Sequence, residues 1–386
     1  MKFERLGNII EIRKGKKPSF VDTPDKNSVR VLQIDDLRND NALKYTNEQD
    51  GVFANEDDVL IAWDGANAGT IGFGKSGFIG STIALLRKKQ PELYSTSFLG
   101  VFLQSQYDYL RSKSTGATIP HISRKALEDL KIPVIDISLQ HHIANILSKA
   151  ENLIAQRKES IVLLDEFLKS TFLEMFGDPV RNEKGWKKIQ CNKILEVRGR
   201  VGWKGYKKTD LRQNGPYVLG ATHLTDSGEL NLDSPVHISM EKYIESPEIV
   251  VQKGDLLIVQ RGNTVGKVGL VKEDIGEATI NPCILILRPK SINYLFLKHY
   301  FLQDKIQQLL WMMNTGSAQP MITQGQLRAF EILFPPEKIQ TQFAQIVERT
   351  EVLKTQCQQS LQELENLYGS LSQKAFKGEL KLKEVV

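Results

Sequence analysis

Two glycine-rich stretches hold the residues with the greatest chemical reach. The first reads Asp64-Gly65-Ala66-Asn67-Ala68-Gly69-Thr70-Ile71-Gly72, the second Arg261-Gly262-Asn263-Thr264-Val265-Gly266-Lys267-Val268-Gly269. The second approaches a nucleotide phosphate loop, but it has three residues instead of four between its first glycines, and Val268 where Ser or Thr should follow the lysine. Apolar β-branched runs flank both, so the pattern is strand, tight loop, returning strand, with no helix N-terminus to receive a phosphate. Two readings stay open: a plain hairpin turn, or a loop that brings Asn67, Arg261 and Asn263 to base edges, where Asn suits adenine and Arg suits guanine. Catalytic sets are missing. Of six histidines, His141 and His142 are neighbours on a helical stretch, and none has the spacing of a zinc-binding pair. Cys191, Cys283 and Cys357 are far apart without a CxxC, and read as reduced and packed. No metal site and no catalytic residue is expected.

A basic segment precedes each glycine-rich loop. Ile9-Ile10-Glu11-Ile12-Arg13-Lys14-Gly15-Lys16-Lys17 matches Ile194-Leu195-Glu196-Val197-Arg198-Gly199-Arg200 at an offset of 185. The second runs on as Val201-Gly202-Trp203-Lys204-Gly205-Tyr206-Lys207-Lys208, where aromatics interleave with cations. That composition fits phosphate contacts supported by stacking; a solvated basic loop is the plainer reading. The candidate nucleic-acid contacts are therefore Lys14, Lys16, Lys17, Arg198, Arg200, Lys204, Lys207 and Lys208, with Lys75 and Lys267 beside the glycine-rich loops. Residues 1–133 carry 19 basic and 17 acidic groups and residues 178–333 carry 21 and 16, whereas 134–177 and 334–386 show no basic excess. The net charge of +5 is too small to identify a polyanion partner alone.

The elements that must position these residues occur twice. Sliding residues 114–176 forward by 200 without a gap gives sixteen identities, among them Thr115/Thr315, Gly116/Gly316, Pro120/Pro320, Ile122/Ile322, Gln140/Gln340 and Phe176/Phe376. A repeat this long means two whole domains. Strands are predicted over 29–34, 58–62 and 83–87, and over 217–221, 255–259 and 284–288. Helices follow near 98–103 and 295–302, then a turn around Gly116 or Gly316, a short helix over 123–130 or 323–330, and a strand ending in Pro133 or Pro335. Each half closes on a long helix, 139–176 and 339–376. Ser138 is the expected cap of the first, Gly177-Asp178-Pro179 its stop, and Pro336 opens the second. Ile143, Ile146, Leu153, Leu164 and Phe167, and Phe343, Ile346, Leu353, Leu364 and Leu367, recur at steps that predict an apolar seam per helix. At 1.5 Å per residue such helices span roughly 57 Å, more than a domain core needs, so an intramolecular antiparallel pair is expected.

With 41 % hydrophobic and 25 % charged residues, the 386-residue chain has an ordinary globular composition. No apolar run nears the roughly 18 residues of a membrane helix, so a cytoplasmic protein is expected.

The duplication, the loops around Gly116 and Gly316, and the linker Met175-Phe176-Gly177-Asp178-Pro179 leading to Gly185-Trp186 together resemble the specificity subunit of type I restriction-modification systems, over essentially the whole chain. The resemblance implies an α+β fold of two tandem mixed α/β target-recognition domains, 1–135 and 179–335, separated by two long antiparallel coiled-coil helices, 136–178 and 336–386, in a pseudo-two-fold repeat. It further implies a non-catalytic subunit for double-stranded DNA, each domain reading one part of a split site and the helices docking two modification subunits. S-adenosylmethionine and ATP would belong to partner subunits, and restriction subunits can join. A methyltransferase similar to known adenine enzymes would need Asn-Pro-Pro-aromatic; the nearest stretch, Asn281-Pro282-Cys283-Ile284, lacks the second proline and the aromatic. A coiled-coil scaffold with protein-binding ends is the alternative. Helices of equal length further imply an unread spacer between half-sites, below about 17 base pairs.

Overall fold

The computed structural model describes residues 2–116, 118–200, 206–314 and 320–380. Two compact units form, Met1–Glu159 with Gln358–Val386, and Ser160–Cys357. Each unit thus joins one globular part to the first half of the helix that leaves it and the second half of the helix that leaves the other part.

The same sheet recurs in both. In the first unit, strands 10–14, 83–88, 59–62 and 71–73 lie in that order, all antiparallel; in the second, 195–198, 284–289, 256–259 and 268–270 repeat it. The runs Val59-Leu60-Ile61-Ala62 and Leu256-Leu257-Ile258-Val259 are buried at every position, which is why they read as unbroken apolar stretches. A second, mixed sheet follows in each unit, with 29–32 parallel to 77–79 and 217–219 parallel to 278–280. One pairing was not expected. Lys2–Arg5 lies antiparallel to Lys131–Val134, and Lys187–Gln190 to Glu331–Phe334, so the entry and exit of each globular part are zipped together.

Buried polar groups repeat as faithfully. Asp58 and Asp255 receive Arg87 and Arg288 through paired bonds of 2.7–2.9 Å from Nε and Nη2. The same carboxylates accept the backbone N–H of Asn55 and Gln252, closing the turn before the buried strand. A buried charge needs this full set of partners.

The long helices run Ile137–Phe176 and Glu337–Lys377. Ser138 is not the cap of the first: Asp136 sits one residue before the helix, and its Oδ1 accepts the Ser138 N–H at 2.8 Å. Gly177 and Gly378 end both helices at φ 75°, a conformation glycine adopts without strain. Gln140 and Gln340, both buried, tie each helix start to its globular part: their Oε1 accepts the Ser95 or Asn293 N–H at 2.9 Å, and their Nε2 donates to the Ile135 or Pro335 carbonyl.

Within the first unit, Ile143, Leu147 and Ala150 are buried, Phe376 packs on Phe98 and Phe102, and Tyr368 donates its hydroxyl to Glu151 at 2.6 Å. Within the second, Phe172 and Phe176 pack among Phe296 and Phe343, mostly edge to face, with centroids 4.7–5.6 Å apart, and Lys354 pairs with Asp165 at 2.6 Å. In both, residues early in one helix meet residues late in the other, so the pairing is antiparallel. Each fully buried phenylalanine contributes about 1.5–3 kcal/mol.

The seam is narrower than expected. It follows Ile143, Leu147, Ala150, Ile154, Arg157, Ile161, Leu164 and Leu168, all buried or half-buried, and the same positions 200 residues on. Leu153, Phe167, Leu353 and Leu367 were expected in it but are 48–52 % exposed. Each stands one position before a seam residue, on the flank of the helix, and an apolar flank beside an apolar seam is indistinguishable from it by spacing alone. Ile146 and Ile346, on the same flank nearer the helix start, are half-buried. No helix among the described residues is long and apolar enough to cross a membrane.

Candidate nucleic-acid interface

The glycine-rich loops connect strands of the antiparallel sheets, as their flanking residues required. Gly65 and Gly69, at φ 95° and 96°, and Gly262 and Gly266, at 110° and 91°, give the two turns the same left-handed glycine positions. What the sequence kept apart, the fold joins. Gly65 N–H donates to the Pro120 carbonyl and Gly262 N–H to that of Pro320, both at 3.0 Å; Ile122 and Ile322 N–H donate to Trp63 and Gln260. Each glycine-rich loop is therefore clipped by the same backbone bonds to the proline loop that follows Gly116 or Gly316.

At this clip the side chains differ. Bridge partners are Asp64 and His121 in the first unit, Arg261 and Met321 in the second. Asp64 Oδ1 lies 2.5 Å from His121 Nδ1, and Lys14 Nζ reaches Asp64 Oδ2 at 2.6 Å, so the basic segment converges on the same point. Burial works against the charge on Asp64, but the bonds from Lys14 and His121 prevail and hold its carboxyl below the ordinary range. Arg261 Nη2 donates to Met321 Sδ at 3.2 Å, and the guanidinium is exposed.

The other candidates divide by how their charge is engaged. Lys16 pairs with Asp50, Lys75 with Asp40, Arg198 with Glu196 and Lys267 with Asp226. Lys75 is 15 % exposed, and Lys267 lines a cavity of about 570 Å³ with Asp226, Thr264 and Gln307. Arg200 turns inward: its Nη2 donates to the Ile280 carbonyl, its guanidinium lies 5.9 Å from the Tyr206 ring, and burial lowers its pKa. Lys17, Lys207, Lys208 and Asn263 are exposed. Asn67 accepts from Arg38 Nη2 at 3.1 Å, which leaves its amide donors available. Lys204 and residues 315–319 lie outside the described residues. His121 and Met321 are site residues with no motif of their own; the signal for them is that this position varies inside the best-matched stretch of the repeat, Thr-Gly-x-x-x-Pro-x-Ile.

Residues 1–163 and 183–366 match the type I restriction modification DNA specificity domain, so the chain belongs to that family, with one match per half. Among relatives, it is 28 % identical to the type I restriction enzyme MjaVIII specificity subunit of Methanocaldococcus jannaschii, over 86 % of this chain and 81 % of that one. It is 21 % identical to the EcoBI specificity subunit of Escherichia coli, over 92 % and 81 %. Its fold is similar to the crystal structure of a type I restriction-modification S subunit from M. genitalium, with a TM-score of 0.62, 16 % identity, and 99 % and 96 % of the two chains covered. A structure described as underlying complex assembly and conformational transition of the type I restriction-modification system gives a TM-score of 0.58 at 16 % identity, covering 98 % of each chain. The chain is a non-catalytic specificity subunit, and its activity is recognition of DNA sequence.

Proposed function

We propose that each unit reads one part of a bipartite double-stranded DNA site, and that the exposed flanks of the long helices dock two modification subunits. These partners carry S-adenosylmethionine and methylate adenine; restriction subunits with ATP-driven translocation join the same assembly, in the cytoplasm. The observation that carries the reading is the repeated clip: one backbone frame, built twice, presenting different side chains. A device for reading two different short sequences needs a constant frame and variable contacts. The docking role is supported by the repeat of exposed large apolar residues, Leu153 with Leu353 and Phe167 with Leu367, at matching positions of both helices.

The test is to reconstitute the full chain with its modification subunits, expose a library of randomised duplexes to labelled methyl donor, and sequence the methylated fraction. The expected result is a two-part motif with an unread spacer, and no transfer by the chain alone. Sequence-independent methylation would favour the coiled-coil scaffold, with recognition residing in a partner.

A further inference from the structure

The clip pairs one exposed polar group with one less exposed group that holds it, and the two units assign these parts to opposite loops. In the first unit the exposed group is His121, on the proline loop, with a side chain 47 % exposed; its holder Asp64, on the glycine-rich loop, is 16 % exposed. In the second unit the exposed group is Arg261, on the glycine-rich loop, and the half-buried Met321 on the proline loop holds it through sulfur. We infer that His121 and Arg261 are the base-reading side chains of their units, His121 taking an exocyclic amino group of adenine or cytosine and Arg261 taking guanine. This assignment deepens the function proposed above and rests on it.

The chemistry follows from what each holder leaves free. An ionised carboxylate only accepts, so the Asp64 contact takes up a proton on Nδ1 of His121, and a ring carrying that one proton offers Nε2 as an acceptor. In the major groove the groups that donate to such an acceptor are N6 of adenine and N4 of cytosine. Gly116 makes room for this ring: at φ 95° it stands where an added Cβ would lie 3.1 Å from His121 Cδ2 and 2.3 Å from the Ile119 carbonyl oxygen. Arg261 spends one N–H on Met321, and a guanidinium has five, so the planar fork that matches guanine O6 and N7 remains. Lys14 on Asp64 places a cation beside the first reader, where backbone phosphates would lie.

The experiment uses the reconstituted complex and the randomised duplexes, comparing base preference position by position. Arg261→Lys keeps the charge and loses the fork; it should cut the guanine preference at one position of one half-site by roughly 5- to 150-fold, with an unchanged dependence of binding on salt. His121→Ala should relax a preference for adenine or cytosine at one position of the other half-site by a similar factor, and His121→Gln, which keeps an acceptor on a side chain of similar reach, should retain part of it. The exchange Asp64→Arg with His121→Met should bring guanine to the first half-site. The assignment is overturned if these variants, with unfolding temperatures near that of the unsubstituted chain, leave every base preference in place, or if both half-sites relax together. Absence of any sequence preference in the unsubstituted complex would instead remove the proposed function itself.

Discussion

The cations of the basic segments differ in how much charge they have left to offer. Lys207 and Lys208 stand exposed, whereas Lys16 and Arg198 are already neutralised by Asp50 and Glu196. Phosphate contacts release counterions, so Lys207→Ala with Lys208→Ala should weaken binding to all sequences alike and flatten the salt dependence by about one unit of slope per lost contact. Lys16→Ala should change the slope by well under about one unit; a full unit would mean that the Lys16–Asp50 pair opens on DNA. A second residue speaks to acid stability. His299 is buried, and burial first, then the nearby cations Lys298, Lys272 and Lys354, push its pKa down to about 3. The neutral ring is favoured in the folded chain and the protonated ring in the unfolded one. Its contribution is therefore intact above the unfolded value of about 6.5 and is lost progressively as pH falls toward 3. His299→Phe should flatten the fall of the unfolding temperature between pH 6.5 and 4, and an unaltered profile would assign that fall to other groups.

At the scale of elements, the helices separate stability from docking. Leu168 is 5 % exposed in the seam, while its neighbour Phe167 is 48 % exposed on the flank. Leu168→Ala should cost about 2–5 kcal/mol of unfolding free energy. Phe167→Ser with Leu353→Ser should leave unfolding within about 0.5 kcal/mol yet lower the affinity for modification subunits, read by titration of the purified partners. Retained affinity would move docking off this flank. Much of this was legible beforehand. The repeat follows from identities 200 residues apart, the buried strands 59–62 and 256–259 from their apolar runs, and the stop of the first helix from Gly177, Asp178 and Pro179. Which apolar stripe is buried was not, because Phe167 and Leu168 are both large and apolar and differ by only one step around the helix. The clip escaped for another reason: it is made of backbone bonds such as Gly65 to Pro120, and sequence pattern records side chains. Ion pairing of Lys14 with Asp64 was equally hidden, since the partners are 50 residues apart.

For the whole molecule, the helices of 40 and 41 residues are about 60 Å long at 1.5 Å per residue. If they set the distance between half-sites, inserting seven residues after both Gln156 and Gln356 retains the seam's register and adds about 10 Å. The preferred spacer should then lengthen by about three base pairs while both half-site sequences stay the same. A spacer that does not change would show that the DNA, not the protein, fixes the interval.

The exchanged helix halves also bear on how the chain is made. The first unit contains residues 358–380, and Phe376 closes on Phe98 and Phe102 in its core. During synthesis at about 5–20 residues per second, the N-terminal part waits on the order of ten to forty seconds after its own residues have emerged before that last phenylalanine arrives. Through this interval its apolar surface stands open to chaperones and proteases. Chains stalled on the ribosome before residue 337 should accordingly be cut readily within residues 1–135, and released full-length chains should resist. Resistance in the stalled chains would show that the N-terminal part matures without waiting for its lid.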